Sequence, residues 1–151
     1  MAEEIKNNRR EFLKKSGMVV GFGLMLPVLP SFLSSCSSNS TGPTEITIKI
    51  SDYPGLSVNG TPVYVSQSGF NSGSSVIVTR VSSSVFTIFS SKCTHEGATV
   101  GLPTGSTMRC PQHGAVFSAA NGSVISGPAN SPLQKFNGTY DSVNNTLLIS
   151  T

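Results

Sequence analysis

Two short segments concentrate the metal-binding chemistry of this chain: Cys93-Thr94-His95-Glu96-Gly97-Ala98 and Cys110-Pro111-Gln112-His113-Gly114-Ala115. Each supplies one thiolate and one imidazole, donors suited to zinc and to iron. The whole chain has 3 Cys and 2 His. That both His and two of the Cys fall in these segments therefore points to one shared site. In each segment a Gly stands just after the His region, where the backbone can turn tightly. By ligand type alone the set is open between a structural zinc cage, for which Cys₂His₂ is a common composition, and an iron centre. Asp52 and Glu96 show no paired-carboxylate spacing of the kind acid–base catalysis uses. Lys92 and Arg109, directly before Cys93 and Cys110, read as solvated strand ends that could also attract an anionic partner.

Such loops need rigid ends, and the rest of the body supplies β-strand patterns. From Glu45 the residues Ile46, Ile48 and Ile50 alternate with Thr47, Lys49 and Ser51, a period of two that argues a half-buried strand. Similar runs cover 61–65, 75–81, 85–90, 107–109, 133–136 and 145–150. Turn signals separate them: Pro54-Gly55, Asn59-Gly60, Asn71-Ser72-Gly73, Asn121-Gly122 and Asn137-Gly138. Asn-Gly pairs tolerate the positive φ that tight hairpins require. No stretch after residue 36 carries a helical period. The expected fold is all-β, built of antiparallel sheets, with the two loops forming a small metal-binding subdomain.

Composition agrees. The 151 residues include 15 Gly, no Trp and only 11% charged residues, which suits a small exported β domain better than a helical cytosolic enzyme. The formal charge of +3 is misleading, because Lys6, Arg9, Arg10, Lys14 and Lys15 all precede the body. From Cys36 onward, Lys49, Arg80, Lys92, Arg109 and Lys135 face Glu45, Asp52, Glu96 and Asp141. The body is close to neutral and has no basic stripe, which excludes nucleic acid as a partner on electrostatic grounds.

The first residues read as an address. Asn8-Arg9-Arg10-Glu11-Phe12-Leu13-Lys14 resembles a twin-arginine export signal. An apolar stretch from Gly17 to Leu33 follows, interrupted by Pro27 and Pro30 and ill-suited to a spanning helix. It ends in Leu33-Ser34-Ser35-Cys36, which looks like a lipobox with Cys36 as the acylated residue. The expected division is a signal peptide over 1–35, a flexible tether over 36–44 and a folded domain over 45–151. Two alternatives stay open beside a lipidated Cys36: a free thiol at that position, and a signal retained uncleaved as the anchor. The twin-arginine route carries folded proteins, so a cluster assembled in the cytoplasm would travel with the chain.

The spacing Cys-x-His, then residues 96–109, then Cys-x-x-His resembles the Rieske family. The likeness extends to Pro62-Val63-Tyr64-Val65-Ser66 as the family's early strand. It also takes in Gly127-Pro128-Ala129 with Pro132-Leu133 as its proline loop, and a closing hairpin over about 133–150. The resemblance implies a [2Fe-2S] cluster with Cys93 and Cys110 on one iron, His95 and His113 on the other, and Pro128 and Pro132 as shields. It lowers the weight of the zinc-stabilised surface module without removing it.

Two departures matter. Relatives in cytochrome bc complexes brace the loops with a disulfide between positions that are Ala98 and Gln112 here. They also place Ser and Tyr, donors to the cluster sulfurs, where this chain has Ala115 and Phe117. Both losses imply a potential in the lower half of the Rieske range. An oxygenase would need two further His and a carboxylate for a mononuclear iron, and both His are committed, so no independent catalytic site is expected. The reading is single-electron transfer at the periplasmic side of a bacterial membrane. Its expected partners are a quinol-oxidising complex and a cytochrome or reductase. A small subunit of a periplasmic oxidase is the alternative.

Overall fold

The computed structural model describes residues 42–151. The expected signal peptide, Cys36 and the first part of the tether lie outside the described residues. Nine strands are present: β1 (Glu45–Lys49), β2 (Pro62–Val65), β3 (Val76–Arg80), β4 (Phe86–Ser90), β5 (Thr107–Arg109), β6 (Val116–Ser118), β7 (Val124–Ser126), β8 (Asn137–Asp141) and β9 (Thr146–Ser150). They form three antiparallel sheets, ordered β1-β9-β8, β2-β3-β4 and β5-β6-β7. Among the described residues there is no α-helix, only three 3₁₀ turns, and no helix long and apolar enough to cross a membrane. The all-β expectation holds.

The β2-β3-β4 sheet is a wall between two cores. Side chains alternate across a strand, so Val76, Val78 and Ile88 face the first core while Ile77 and Phe89 face the second. This is why β3 reads as a continuous apolar run, Val76-Ile77-Val78, rather than as an alternation; a strand buried on both faces has no polar side. The first core is closed by Ile46 and Ile48 of β1 with Leu147 and Ile149 of β9, paired in register. Arg80 seals one end, its guanidinium lying 5.5 Å from the Phe86 ring centre and 5.2 Å from that of Tyr140. The second core gathers Val100, Met108, Phe117, Ala129 and Leu133 around Cys93 and Cys110. The chain leaves the wall after β4, builds the β5-β6-β7 unit, and then enters the β1-β9-β8 sheet at β8.

Two local expectations need correction. Asn137-Gly138 opens strand β8 instead of forming a turn. A Cβ there would come within 2.8 Å of the Ile88 Cδ1, so a side chain at 138 would make Ile88 shift. Residues 133–136 form no regular strand; the segment makes a single bridge, Phe89 to Lys135, and is held by burial of Leu133 and Phe136. Pro54-Gly55 lies within a 3₁₀ turn, Pro54–Ser57, in keeping with its turn signal. At the start of the domain, Thr44, assigned above to the tether, accepts a hydrogen bond through its carbonyl from the Thr151 backbone N–H at 3.1 Å.

Candidate metal centre

The two Cys/His segments fold into the same turn. In the first, the Cys93 N–H donates to the Ala98 carbonyl at 2.8 Å and the Gly97 N–H to the Cys93 carbonyl at 2.8 Å. In the second, Cys110 N–H donates to Ala115 at 2.8 Å and Gly114 N–H to Cys110 at 3.0 Å. Gly97 and Gly114 have φ of +78° and +77°, values that L side chains adopt only under strain. A side chain at Gly97 would also meet the stem of Lys92, and one at Gly114 the guanidinium of Arg109. Thus Cys, Gly and Ala occupy equivalent positions in both turns, and the His alone differs, standing two residues after Cys93 and three after Cys110.

The roots of the turns are fixed by buried polar contacts. Ser90 and Ser91 are only 3% and 1% exposed, and each is fully partnered. Asn71 donates through Nδ2 to the Ser75 carbonyl at 2.8 Å and to Ser90 Oγ at 3.0 Å. Ser91 Oγ donates to the Ser75 carbonyl at 2.7 Å, and Ser90 Oγ accepts from the Lys92 N–H at 3.1 Å. Satisfied buried polar groups of this kind rigidify a single arrangement. These contacts were not legible in the sequence, where Ser and Asn read as turn residues.

Within this frame the four predicted ligands stand as two pairs, one of cysteines and one of histidines. Cys93 and Cys110 are 3% and 0% exposed, packed in the second core with no disulfide. Burial pushes the Cys93 thiol above its ordinary pKa, and the adjacent Cys110 side chain adds in the same direction. The histidines sit at the outer end, with side chains 27% and 36% exposed. Their rings are near perpendicular, at 86°, and the two Nδ1 atoms face each other at 3.2 Å. Two imidazole nitrogens bound about 2.1 Å from one metal, at an angle of about 100°, would be separated by about that distance. A buried cysteine pair and a more exposed histidine pair fit a cluster whose two irons take different donors. Glu96 lies beside both rings, Oε1 4.0 Å from His95 Nε2 and Oε2 3.5 Å from His113 Nδ1.

The proline segment packs against both turns. Thr94 donates through Oγ1 to the Ser131 carbonyl at 2.6 Å. Gly127, at φ +97°, presses its backbone on Ala115, where a Cβ would come within 2.6 Å of the Ala115 Cα. Pro128 and Pro132 are exposed, while Ala129 and Leu133 anchor the segment in the core. Ala98 is half-buried, Gln112 exposed, and Ala115 and Phe117 are fully buried beside the cysteines.

The model of the Rieske [2Fe-2S] domain matches residues 53–137, more than half of the chain. This chain belongs to the Rieske family. The ambiguity between zinc and iron is thereby resolved: a Rieske domain binds a [2Fe-2S] cluster, and the protein is a Rieske-type iron–sulfur electron-transfer protein. No curated protein matches the sequence.

Solved structures similar to this Rieske domain include the ferredoxin with its oxygenase in carbazole 1,9a-dioxygenase. That match has 23% identity, a TM-score of 0.53, and coverage of 71% of this chain and 93% of that one. The ferredoxin of carbazole 1,9a-dioxygenase from Nocardioides aromaticivorans IC177 is 19% identical, with a TM-score of 0.52 and coverage of 72% and 98%. These two share the fold. The plasma membrane Rieske protein PetC3 from Synechocystis PCC 6803 is 25% identical over 60% of this chain and 86% of its own, with a TM-score of 0.48.

Proposed function

We propose that this Rieske protein carries single electrons at the periplasmic side of a bacterial membrane. It would pass them between a quinol-oxidising or related redox complex and a cytochrome or reductase. Cys93 and Cys110 would hold the buried iron of the cluster, and His95 and His113 the outer one. When bound, the cluster supplies a one-electron acceptor and donor whose neutral imidazole ligands make it easier to reduce than an all-thiolate centre.

The chain's own residues set the conditions for that work. The second core keeps water from the sulfurs, and the buried serine and asparagine contacts fix where the two turns stand. The histidines leave part of their rings at the surface, giving a partner a short path to the centre. The observation that carries the reading is a pair of buried thiols together with two outward imidazoles whose Nδ1 atoms stand 3.2 Å apart, supplied by two turns of identical hydrogen-bond pattern. Anchoring rests on the resemblance of residues 8–14 to an export signal and of residues 33–36 to a lipobox; multiple acyl chains would hold the domain stably at a bilayer.

Two experiments test this. Iron-replete protein should be reddish-brown and give a Rieske-type paramagnetic signal on reduction; colourless, zinc-loaded material would overturn the electron-transfer reading. Cells fed labelled palmitate should label the wild-type chain in the membrane fraction and leave a Cys36→Ala variant unlabelled. Equal labelling of both would remove Cys36 as the anchor.

A further inference from the structure

The two ligand turns are joined by a strap, residues 99–104, that touches the root of each. The Val100 N–H donates to the Ser91 carbonyl at 2.7 Å, two residues before Cys93. The adjacent Gly101 N–H donates to the Arg109 carbonyl at 2.8 Å, one residue before Cys110. Gly101 has no room for a side chain without crowding that carbonyl, since a Cβ would lie 3.1 Å from it. Val100 is fully buried. Residues 100 and 101 therefore act as the spacer between the thiolate-bearing turns.

One side chain from outside this unit reaches the spacer. Tyr64 of β2 donates its hydroxyl to the Val100 carbonyl at 2.7 Å, across a sequence separation of 36. The residue stays 38% exposed while its hydroxyl reaches the strap. Burial raises the phenol above its ordinary pKa, with the Leu102 backbone acting in the opposite direction. Val100 spends its N–H on one turn and its carbonyl on Tyr64, so the strap is pinned between the wall sheet and the metal unit.

We propose that Tyr64 is a positioning residue that fixes the separation of the two ligand turns through the Val100–Gly101 strap and so holds the geometry of the cluster. In a chain where Ala98 and Gln112 cannot form a disulfide between the turns, this hydroxyl is a cross-brace from the wall to their common spacer. The inference rests on the electron-transfer reading above.

The test compares Tyr64→Phe with Tyr140→Phe in iron-replete full-length protein. Tyr140 makes a bond of similar length, from its hydroxyl to Asn145 Oδ1 at 2.8 Å, within the β8–β9 hairpin, and serves as a matched deletion outside the metal unit. The rate of chromophore bleaching under a chelator should rise by about two- to tenfold in Tyr64→Phe, the range one net hydrogen bond commands, and stay at the wild-type value in Tyr140→Phe. The paramagnetic g-values of the reduced centre should shift only in Tyr64→Phe. Amide exchange in the apoprotein should accelerate at Val100 and Gly101. Unchanged bleaching and g-values in Tyr64→Phe would overturn the proposal, as would equal effects from the two variants, which would mark the hydroxyl as an ordinary structural contact. Wild-type protein without a Rieske signal would instead refute the underlying electron-transfer reading, so the two failures are distinguishable.

Discussion

Replacing Ala115 by Ser and Phe117 by Tyr would place two hydroxyl donors in the core that already contains Cys93 and Cys110. Both positions are fully buried there, so neither hydroxyl could be satisfied by solvent, and each would seek the sulfurs or a nearby carbonyl. A hydrogen bond to a charged acceptor is worth about 1.5–3 kcal/mol. For a one-electron couple about 1.4 kcal/mol corresponds to about 59 mV. Two such bonds favour the more negative, reduced centre and would raise the potential by about 120–250 mV. The wild-type protein, lacking both, should titrate in the lower half of the Rieske span of about −150 to +300 mV. The assay is a redox titration followed by the paramagnetic signal of the reduced centre. Its companion is a denaturant titration, since adding atoms to a packed core costs about 1–3 kcal/mol. A wild-type potential above about +200 mV would refute the reasoning. An unchanged potential in a folded double variant would show that positions 115 and 117 do not face the sulfurs.

Other consequences follow from particular contacts. Gly127→Ala should lower stability by about 1–3 kcal/mol or more, because φ of +97° and the Ala115 backbone leave no place for a methyl; thermal unfolding measures it, and a neutral result would mean the proline segment is not packed as described. Cys110→Ser and His95→Ala should each abolish the visible chromophore while retaining the β-sheet circular dichroism of the first core; either variant keeping a wild-type spectrum would remove that residue from the ligand set. Asp141 accepts from Asn144 Nδ2 and from the Asn144 and Val143 N–H groups, and these contacts hold its carboxyl below the usual carboxylate range, the Asn144 side chain most of all. Its folded pKa is thus lower than its unfolded value of about 3.9, so its contribution is complete above that value and lost as pH falls through the folded one. Asp141→Asn should flatten the acid limb of the stability curve slightly, and an unaltered limb would contradict the assignment.

The all-β fold and the candidate ligands both stood out in the sequence, while the short strands that carry the ligand turns did not. With 2 His and 3 Cys in the chain, position alone narrowed the ligands to four residues. The strands of the first core were readable because Ile46, Ile48, Leu147 and Ile149 alternate against a polar face. β6 and β7, at three residues each, are too short to show a period, and β8 hides behind an Asn-Gly pair that tertiary packing against Ile88 turns into a strand. Also out of reach of pattern reading were the contacts spanning long separations, such as Tyr64 to Val100 and Asn71 to Ser90. Hydrogen bonds between polar side chains and distant backbone leave no local signature. The repeat of one turn around Cys93 and Cys110 was visible as Cys, Gly and Ala at equal offsets, but its meaning depends on the matched hydrogen bonds.

The central claim is that two thiols and two imidazoles from these turns hold a [2Fe-2S] cluster. Paramagnetic resonance of the reduced, iron-replete protein, with nitrogen hyperfine couplings resolved, tests it most directly. The expected result is a Rieske-type signal with couplings from two imidazole nitrogens in the wild-type protein, the whole signal being lost in His95→Ala and in His113→Ala because neither variant keeps the cluster. A signal without nitrogen couplings, characteristic of all-cysteine ligation, or no signal at all, would contradict it.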